Sequence, residues 1–324
     1  MATFTRLDAD DARAIATAFA LGEVHAVRPI EAGTINSNFA FDCTSGRCFV
    51  RVNEGKTAAD VAWEAELVSA LAEAGVPTPK PHRTVDGARW LAHRGLLVSA
   101  FPWVHGVPRG PAEVSVADAT AVGAALARIH LLGRARGPTT WRAGIYGFAD
   151  INRRFASLST RDDPALAGAI TVLGSELAAL DAAAALRARA TPGLIHGDLF
   201  RDNVLWDGAA LAAVLDFEQA SAGSLVYDVA VAINDWCWDG GLRRPLAEAL
   251  VGAHRAAMPW SDDDRAAFPL ELRAAAARFT VTRITDVYLR QVDNPDKDFR
   301  AFLARLEFWR SAGAARAWPT MAAG

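Results

Sequence analysis

Apolar residues along this chain follow two periods, and each change of period marks the edge of an expected element. Asp8 to Leu21 is helix-like, and Gly22 ends the run. Three short strand-like segments follow: Val27 to Glu31, Ser37 to Cys43 and Arg47 to Asn53. In the third, Cys48, Val50 and Val52 alternate with Phe49, Arg51 and Asn53, so one face is apolar and the other carries an arginine. Thr57 then caps a helix running to Ala74, stopped by Gly75. Val76-Pro77-Thr78-Pro79 leads into a second strand pair that turns at Asp86-Gly87 and ends with Gly95 to Phe101. This first third, residues 1–101, reads as a small α/β lobe, with Ser99-Ala100-Phe101-Pro102 as the expected hinge out of it.

The remainder, 102–324, is mainly helical in pattern. Ser115 caps a helix through Leu132, closed by Gly133, with Val122, Leu126 and Ile129 at helical spacing and His130 at its buried end as a structural histidine. Pro164 to Arg189 is a second long helix. Strand character then returns. Leu194-Ile195 runs into the turn His196-Gly197-Asp198, and Val204-Leu205-Trp206 and Leu211 to Leu215 flank Asp207-Gly208, a strong hairpin signal. Ser224 to Trp238 and the terminal segments are again helical, so the expected class is α+β with a sheet lobe followed by a larger helical lobe.

The hairpin segment carries the candidate chemistry. Asp198 is followed five residues on by Asn203 and eighteen on by Asp216. A loop carboxylate with no cation beside it suits a general base. An amide and a carboxylate near one end of paired strands suit magnesium, which takes oxygen ligands and usually only one or two from protein. Any one of these residues alone would be an ordinary turn former. The pattern His-Gly-Asp-(x)4-Asn followed by Asp-Phe is much harder to obtain by chance.

The stretches HGDLFRDNVLWDG, DFEQA and LVYDVAVAINDWCW resemble the aminoglycoside phosphotransferase and choline kinase superfamily, whose fold is similar to that of protein kinases. Within it they are most similar to the type II homoserine kinases, and the likeness extends to both ends of the chain. The resemblance implies ATP and Mg2+ as cofactors and a small hydroxyl-bearing acceptor, L-homoserine first. Asp198 would be the base, with Asn203 and Asp216 on magnesium. Arg51 stands where the superfamily often has lysine, and Glu64, with Glu66 as rival, would pair with it. Lys56, beyond the strand, is the weaker candidate cation. The Ala32-Gly33-Thr34-Ile35 connection with Asn36, Ser37 and Asn38 would cover the nucleotide phosphates. His196 and Asp228 would hold the catalytic loop, and Asn234, Asp235, Trp236, Arg283 and Asp286 would face the acceptor. Two departures lie beside the motif: Arg201 where the family often has proline, and Glu218 where it often has an aromatic residue. An added acid would favour a cationic acceptor, so an amino alcohol such as choline or ethanolamine, or an aminoglycoside, is the alternative. A silent nucleotide-binding protein is the remote one, opposed by the intact Asp198-Asn203-Asp216 set.

Composition narrows the picture further. The 324 residues are 52% hydrophobic and 22% charged, as in an ordinary globular protein, and leave room for two lobes. A net charge of −3 and a pI near 6.2 speak against nucleic-acid or membrane partners. The N-terminal residues show no signal-peptide pattern and no apolar run approaches a membrane span of ~20 residues, which points to the cytoplasm. Cys43, Cys48 and Cys237 give no zinc spacing; Cys43 and Cys48 are expected to face each other across the turn at Ser45-Gly46. Gly55-Lys56-Thr57 mimics the end of a P-loop, but Val50 occupies the first glycine position. Asp293 to Asp298 lacks the glycine and closing glutamate of a calcium loop.

Overall fold

The computed structural model describes residues 5–30, 36–292, 294–311 and 313–314. In chain order its elements are α1 (Ala9–Ala18), β1 (Val24–Ile30), β2 (Ser37–Cys43), β3 (Gly46–Val52), α2 (Ala58–Glu73), β4 (Leu91–His93), β5 (Leu96–Pro102), α3 (Val116–Arg136), α4 (Phe148–Ser159), α5 (Ala167–Ala182), α6 (Ala184–Arg187), β6 (Pro192–Ile195), β7 (Val204–Asp207), β8 (Ala210–Val214), β9 (Ser221–Ser224), α7 (Leu225–Trp236), α8 (Arg244–Ala257), α9 (Asp262–Arg283) and α10 (Phe299–Arg310). They form two compact units, Met1–Val107 with Leu205–Glu218, and Pro108–Val204 with Gln219–Gly324. The first unit thus takes in most of the hairpin that the sequence reading keeps with the larger lobe.

The first unit is built on a five-stranded antiparallel sheet of order β1-β2-β3-β5-β4. Strand alternation sends Phe39, Phe41, Cys48, Val50, Val52 and Val98 into one core with Ile15 and Phe19 of α1 and its end. The same alternation turns Arg51 to the opposite face, in register with Asn38 on one side and Ser99 on the other. Thr57 and Asp60 close a reciprocal capping box that starts α2. The register corrects the expected cysteine pair: Cys43 lies opposite Gly46 and Cys48 opposite Phe41, and all three cysteines are buried free thiols. Ser99 to Pro102 is no hinge either, because it lies within β5 and pairs with β3 down to Cys48. The chain continues to Val107, which exchanges backbone hydrogen bonds with Trp206 of β7 (both 3.0 Å), while the Val214 amide of β8 donates to the Pro77 carbonyl at 2.6 Å.

The second unit is helical. α3 does not stop at Gly133 but runs one turn further, to a left-handed Gly137 at φ +81°. Gly133 serves packing instead: a Cβ there would lie 2.5 Å from the Leu194 Cβ, so its absence lets α3 approach β6 closely. Gly123 does the same toward α8, where a Cβ would meet the Leu250 carbonyl oxygen at 2.2 Å. The helix expected over 164–189 is divided into α5 and α6 at Ala183. α3 is not an uninterrupted apolar run, since Asp118 and Arg128 break it. By length and composition it is the one helix, among the described residues, that is long and apolar enough to cross a membrane, yet 56% of its apolar window is buried. Its inward positions, among them Val122, Leu126, Ile129 and His130, face the core.

Candidate active site

In the first unit the sheet and α2 bring together an alternating chain of charges. Arg51 Nη1 lies 3.3 Å from Glu64 Oε1, and Lys56 Nζ lies 2.8 Å from Glu64 Oε2 and 2.9 Å from Glu218 Oε2. Asn36 Nδ2 donates to the same Glu218 oxygen at 2.8 Å. Strand period places Arg51 on the outer face of the sheet, and Glu64 points inward from the second turn of α2. Glu66, the rival acid, is 66% exposed and pairs with Arg89, so Glu64 is the partner of Arg51. Burial works against the Arg51 charge, but the carboxylates of Asp216, Glu64 and Glu218 outweigh it and hold its pKa above the usual arginine value. Burial likewise works against ionised Glu218, and Lys56 and Arg51 overcome it, leaving its carboxyl below the usual range. Asp216 itself sits at φ +62°, a left-handed conformation that costs a non-glycine residue of order 1 kcal/mol or more and recurs at functional positions.

These contacts revise two expectations. Glu218 does not face an acceptor; it is spent on Lys56 and Asn36. Ser37 is fully buried, its hydroxyl donating to Glu54 Oε1 at 2.7 Å and accepting from the Thr5 amide at 3.0 Å, so it secures the start of β2 rather than reaching a phosphate. Asn36 is similarly committed, accepting from the Glu54 amide. Asn38 is buried in β2 opposite Arg51. Residues 32–35 of the expected phosphate-covering loop lie outside the described residues.

In the second unit β6 delivers His196, Gly197 and Asp198 onto a loop held from several sides. Gly197 has φ +78° and a Cβ there would lie 3.2 Å from the Gln219 carbonyl, so the turn needs glycine. Asp228, buried on α7, accepts from the His196 amide at 2.6 Å, the Gly197 amide at 2.8 Å and His130 Nε2 at 3.0 Å. Burial would raise its pKa, but the hydrogen bonds from His130 and the Gly197 amide help keep it below the usual carboxylate value. Behind His130 the order of donors is fixed by chemistry. Trp260 Nε1 can only donate, and it meets His254 Nδ1 at 3.1 Å. Burial, and then His130, push the His254 pKa down to about 3, so the ring is neutral at pH 7 and carries its proton on Nε2. That proton points to His130 Nδ1 at 2.9 Å, which leaves His130 Nε2 as the donor to Asp228. His130 is therefore structural, as expected, and part of a directed relay from Trp260 to the loop. His196, also buried, turns its Nδ1 to accept from the Asp198 amide at 3.3 Å.

Asp198 has contacts that sequence reasoning missed. Its Oδ2 accepts from Gln219 Nε2 at 2.7 Å, and its backbone carbonyl accepts from Asn203 Nδ2 at 2.8 Å. Arg278 donates to the Gly197 carbonyl at 2.8 Å and to Gln219 Oε1, with its guanidinium over the rings of Tyr146 and Phe279 (4.6 and 3.9 Å). Gly197, Gln219, Arg278 and Tyr146, with Tyr227 and Glu271 among others, line a chamber of about 380 Å³; Asp198 itself is not among its lining residues. Two of the expected acceptor residues are internal structure, whereas Arg283 feels the charges of Asp235 and Asp198, and Asp286 acts with Asp198 on Tyr146. Asn234 and Trp236 are wholly buried: Asn234 donates to the Ala230 and Leu272 carbonyls and accepts from Trp309, and Trp236 donates to the Leu199 carbonyl. Asp235 is an ion-pair partner of Arg201, accepting from its backbone amide at 2.8 Å and its Nε at 3.0 Å. Arg283 and Asp286 each have their own protein partner. Arg283 lies over the Phe302 ring and donates to the Asp298 carbonyl, while Asp286 pairs with Arg154 at 2.7 Å. Among the described residues no three His, Cys, Asp or Glu side chains converge on a metal position.

An Arg–Glu pair between a small antiparallel sheet and its helix, and an Asp-bearing loop held by an aspartate of a following helix, are the parts of a phosphotransferase. The chain belongs to the phosphotransferase enzyme family, whose model matches residues 26–260, and within it to the family of the curated homoserine kinases. It is 34% identical to homoserine kinase of Bradyrhizobium sp. (strain ORS 278), covering 98% of both chains, and 32% identical to that of Gluconacetobacter diazotrophicus, covering 96% of this chain and 98% of the relative. Solved structures of the same fold include amicoumacin kinase hAmiN in complex with AMP-PNP, Ca2+ and Ami (TM-score 0.70, 15% identity, 98% of this chain and 94% of the other). Choline kinase from Cryptosporidium parvum Iowa II is similar too (TM-score 0.67, 13% identity, 98% and 99%).

Proposed function

We propose that the protein is an ATP-dependent kinase that phosphorylates the hydroxyl of L-homoserine, giving O-phospho-L-homoserine. The observation that carries this reading is the full-length likeness to homoserine kinases combined with an intact and supported Asp198 loop. Asp198 takes the hydroxyl proton and aims the oxygen at the γ-phosphorus. Asn203, whose amide nitrogen is engaged on the Asp198 carbonyl, would present its side-chain oxygen, and Asp216 its carboxylate, to magnesium. Both are hard oxygen donors, and magnesium seldom needs more than two from protein. When bound, the metal neutralises charge on the phosphates. Arg51, held by Glu64, supplies positive charge on the nucleotide side, with Lys56 beside it. Positioning and electrostatics then account for most of the rate. Asp198→Asn is expected to lower ADP release with homoserine by at least ~10²-fold with folding intact, and near-normal turnover in that variant would overturn the assignment.

One observation favours a second reading. The chamber beside Gln219 and Arg278, about 380 Å³, falls in the ~300–1,000 Å³ range of pockets for larger ligands, and a four-carbon amino acid would fill only part of it. Such a chamber would suit a bulkier hydroxyl-bearing acceptor. Glu218 no longer argues for a cationic one, since it is paired within its own unit. Steady-state ADP release with homoserine, choline, ethanolamine and aminoglycosides, compared as kcat/KM, separates the readings.

A further inference from the structure

From the contacts around Asp198 we infer that Gln219, braced by Arg278, is the positioning residue that orients the Asp198 carboxylate for proton transfer. The inference rests on Asp198 being the base, as proposed above. Gln219 Nε2 donates to Asp198 Oδ2 at 2.7 Å, and Gln219 Oε1 accepts from Arg278 Nη2. The amide can sit only this way round: a carboxylate accepts and a guanidinium donates, so a flipped amide would oppose both partners. Arg278 is in turn fixed. Its Nη1 donates to the Gly197 carbonyl at 2.8 Å, and aromatic rings lie over its guanidinium. One buried cation therefore grips the backbone just before Asp198 directly and the Asp198 side chain through Gln219. With Oδ2 held at one end and the backbone carbonyl held by Asn203 at the other, the carboxylate loses the torsional freedom it would have on an open loop.

Gln219 is the third residue after Asp216, in a stretch where the chain departs from its resemblance by carrying Glu218. Glu218 and Gln219 act on different partners. Glu218 balances Lys56 within the first unit, and Gln219 serves Asp198 within the second. A base whose carboxylate is displaced by about an ångström loses up to ~10²-fold in rate, which sets the size of the expected effect.

The test is a double-mutant cycle on the full chain, with Gln219→Met (similar length, no amide) and Gln219→Glu (keeps the Arg278 contact, cannot donate to Asp198 when ionised) made in the wild type and in Asp198→Ala. In the wild-type background both variants are expected to lower kcat by ~10- to 100-fold, with KM for ATP and for homoserine within about twofold. In the Asp198→Ala background neither should lower the residual rate further, because the group that Gln219 orients is gone. Wild-type kcat in either Gln219 variant, or losses that multiply with that of Asp198→Ala, would overturn the inference. An active Asp198→Ala enzyme would instead overturn the identification of the base, so the two failures are distinguishable. Should the methionine variant fold poorly by thermal melt, the glutamate variant decides.

Discussion

Acid should destabilise this protein through one buried histidine, and the size of the effect follows from its surroundings. His254 is fully buried between Trp260 and His130. In the unfolded chain it titrates near 6.5, and in the folded protein burial and the neighbouring His130 push it down to about 3. The folded state therefore refuses a proton that the unfolded chain accepts. The stability due to neutral His254 is fully present above pH 6.5 and is lost progressively as pH falls toward 3. At pH 5 the unfolded state gains RT ln(1 + 10^1.5), about 2 kcal/mol, relative to pH 8, or roughly 30-fold in the unfolding equilibrium. The comparison protein is His254→Gln, whose amide can still donate toward His130 but does not titrate. Urea unfolding at pH 8 and pH 5 should show wild type losing ~2 kcal/mol more than His254→Gln across that step. Carboxylates held low away from His254, such as Asp11 and Asp42, contribute acid lability to both proteins and cancel in the difference, whereas Asp228 and Asp264 act on His254 itself and belong to the effect being read. Equal losses in the two proteins would refute the neutral, directed relay from Trp260 to Asp228.

Two further outcomes bear on the site and its scaffold. Lys56→Met leaves Glu64 and Glu218 without the cation that joins them; loss of one charge-assisted contact of ~1.5 kcal/mol should raise KM for ATP by about tenfold, and an unchanged KM would confine Lys56 to tying α2 to its surroundings. Gly123→Ala places a methyl 2.2 Å from the Leu250 carbonyl, so α3 and α8 must separate; a loss of ~1–3 kcal/mol, read as a lower midpoint in thermal unfolding, is expected, and an unshifted midpoint would show that the crossing yields without strain.

What was readable in the sequence was local. Strand alternation puts Arg51 on the correct face, turn residues bound β2 and β3, and caps at Thr57 and Ser115 mark helix starts, because each depends on neighbours a few residues away. The kinase motif was legible for the same reason. Roles that depend on distant partners are not legible in this way. Gly133 looks like a helix stop until Leu194 is packed against it. Asn234 and Trp236 look like ligand-facing polar groups, but Trp309, Leu272 and Leu199 claim their hydrogen bonds. Lys56 and Gln219 carry no local sign of their partners, because Glu218 and Asp198, respectively, lie 162 and 21 positions away (218 − 56; 219 − 198). Neither a period nor a cap could have joined them.

The make-up of the first unit has a consequence for synthesis. Its strands β1 to β5 are complete by Pro102, yet the segment Leu205–Glu218 that completes it is separated from Val107 by residues 108–204, which number 97. At ~5–20 residues per second, a nascent chain waits roughly 5 to 20 s with its early sheet in existence before Trp206 can meet Val107 and Val214 can meet Pro77. During that interval the backbone groups of those residues are left to solvent or to the ribosome's surroundings. A fragment ending near the first unit's sequence boundary would hold that immature state indefinitely. The N-terminal sheet thus depends on a late-arriving piece of its own chain, and premature termination anywhere before residue 205 yields a product that cannot finish even its first third.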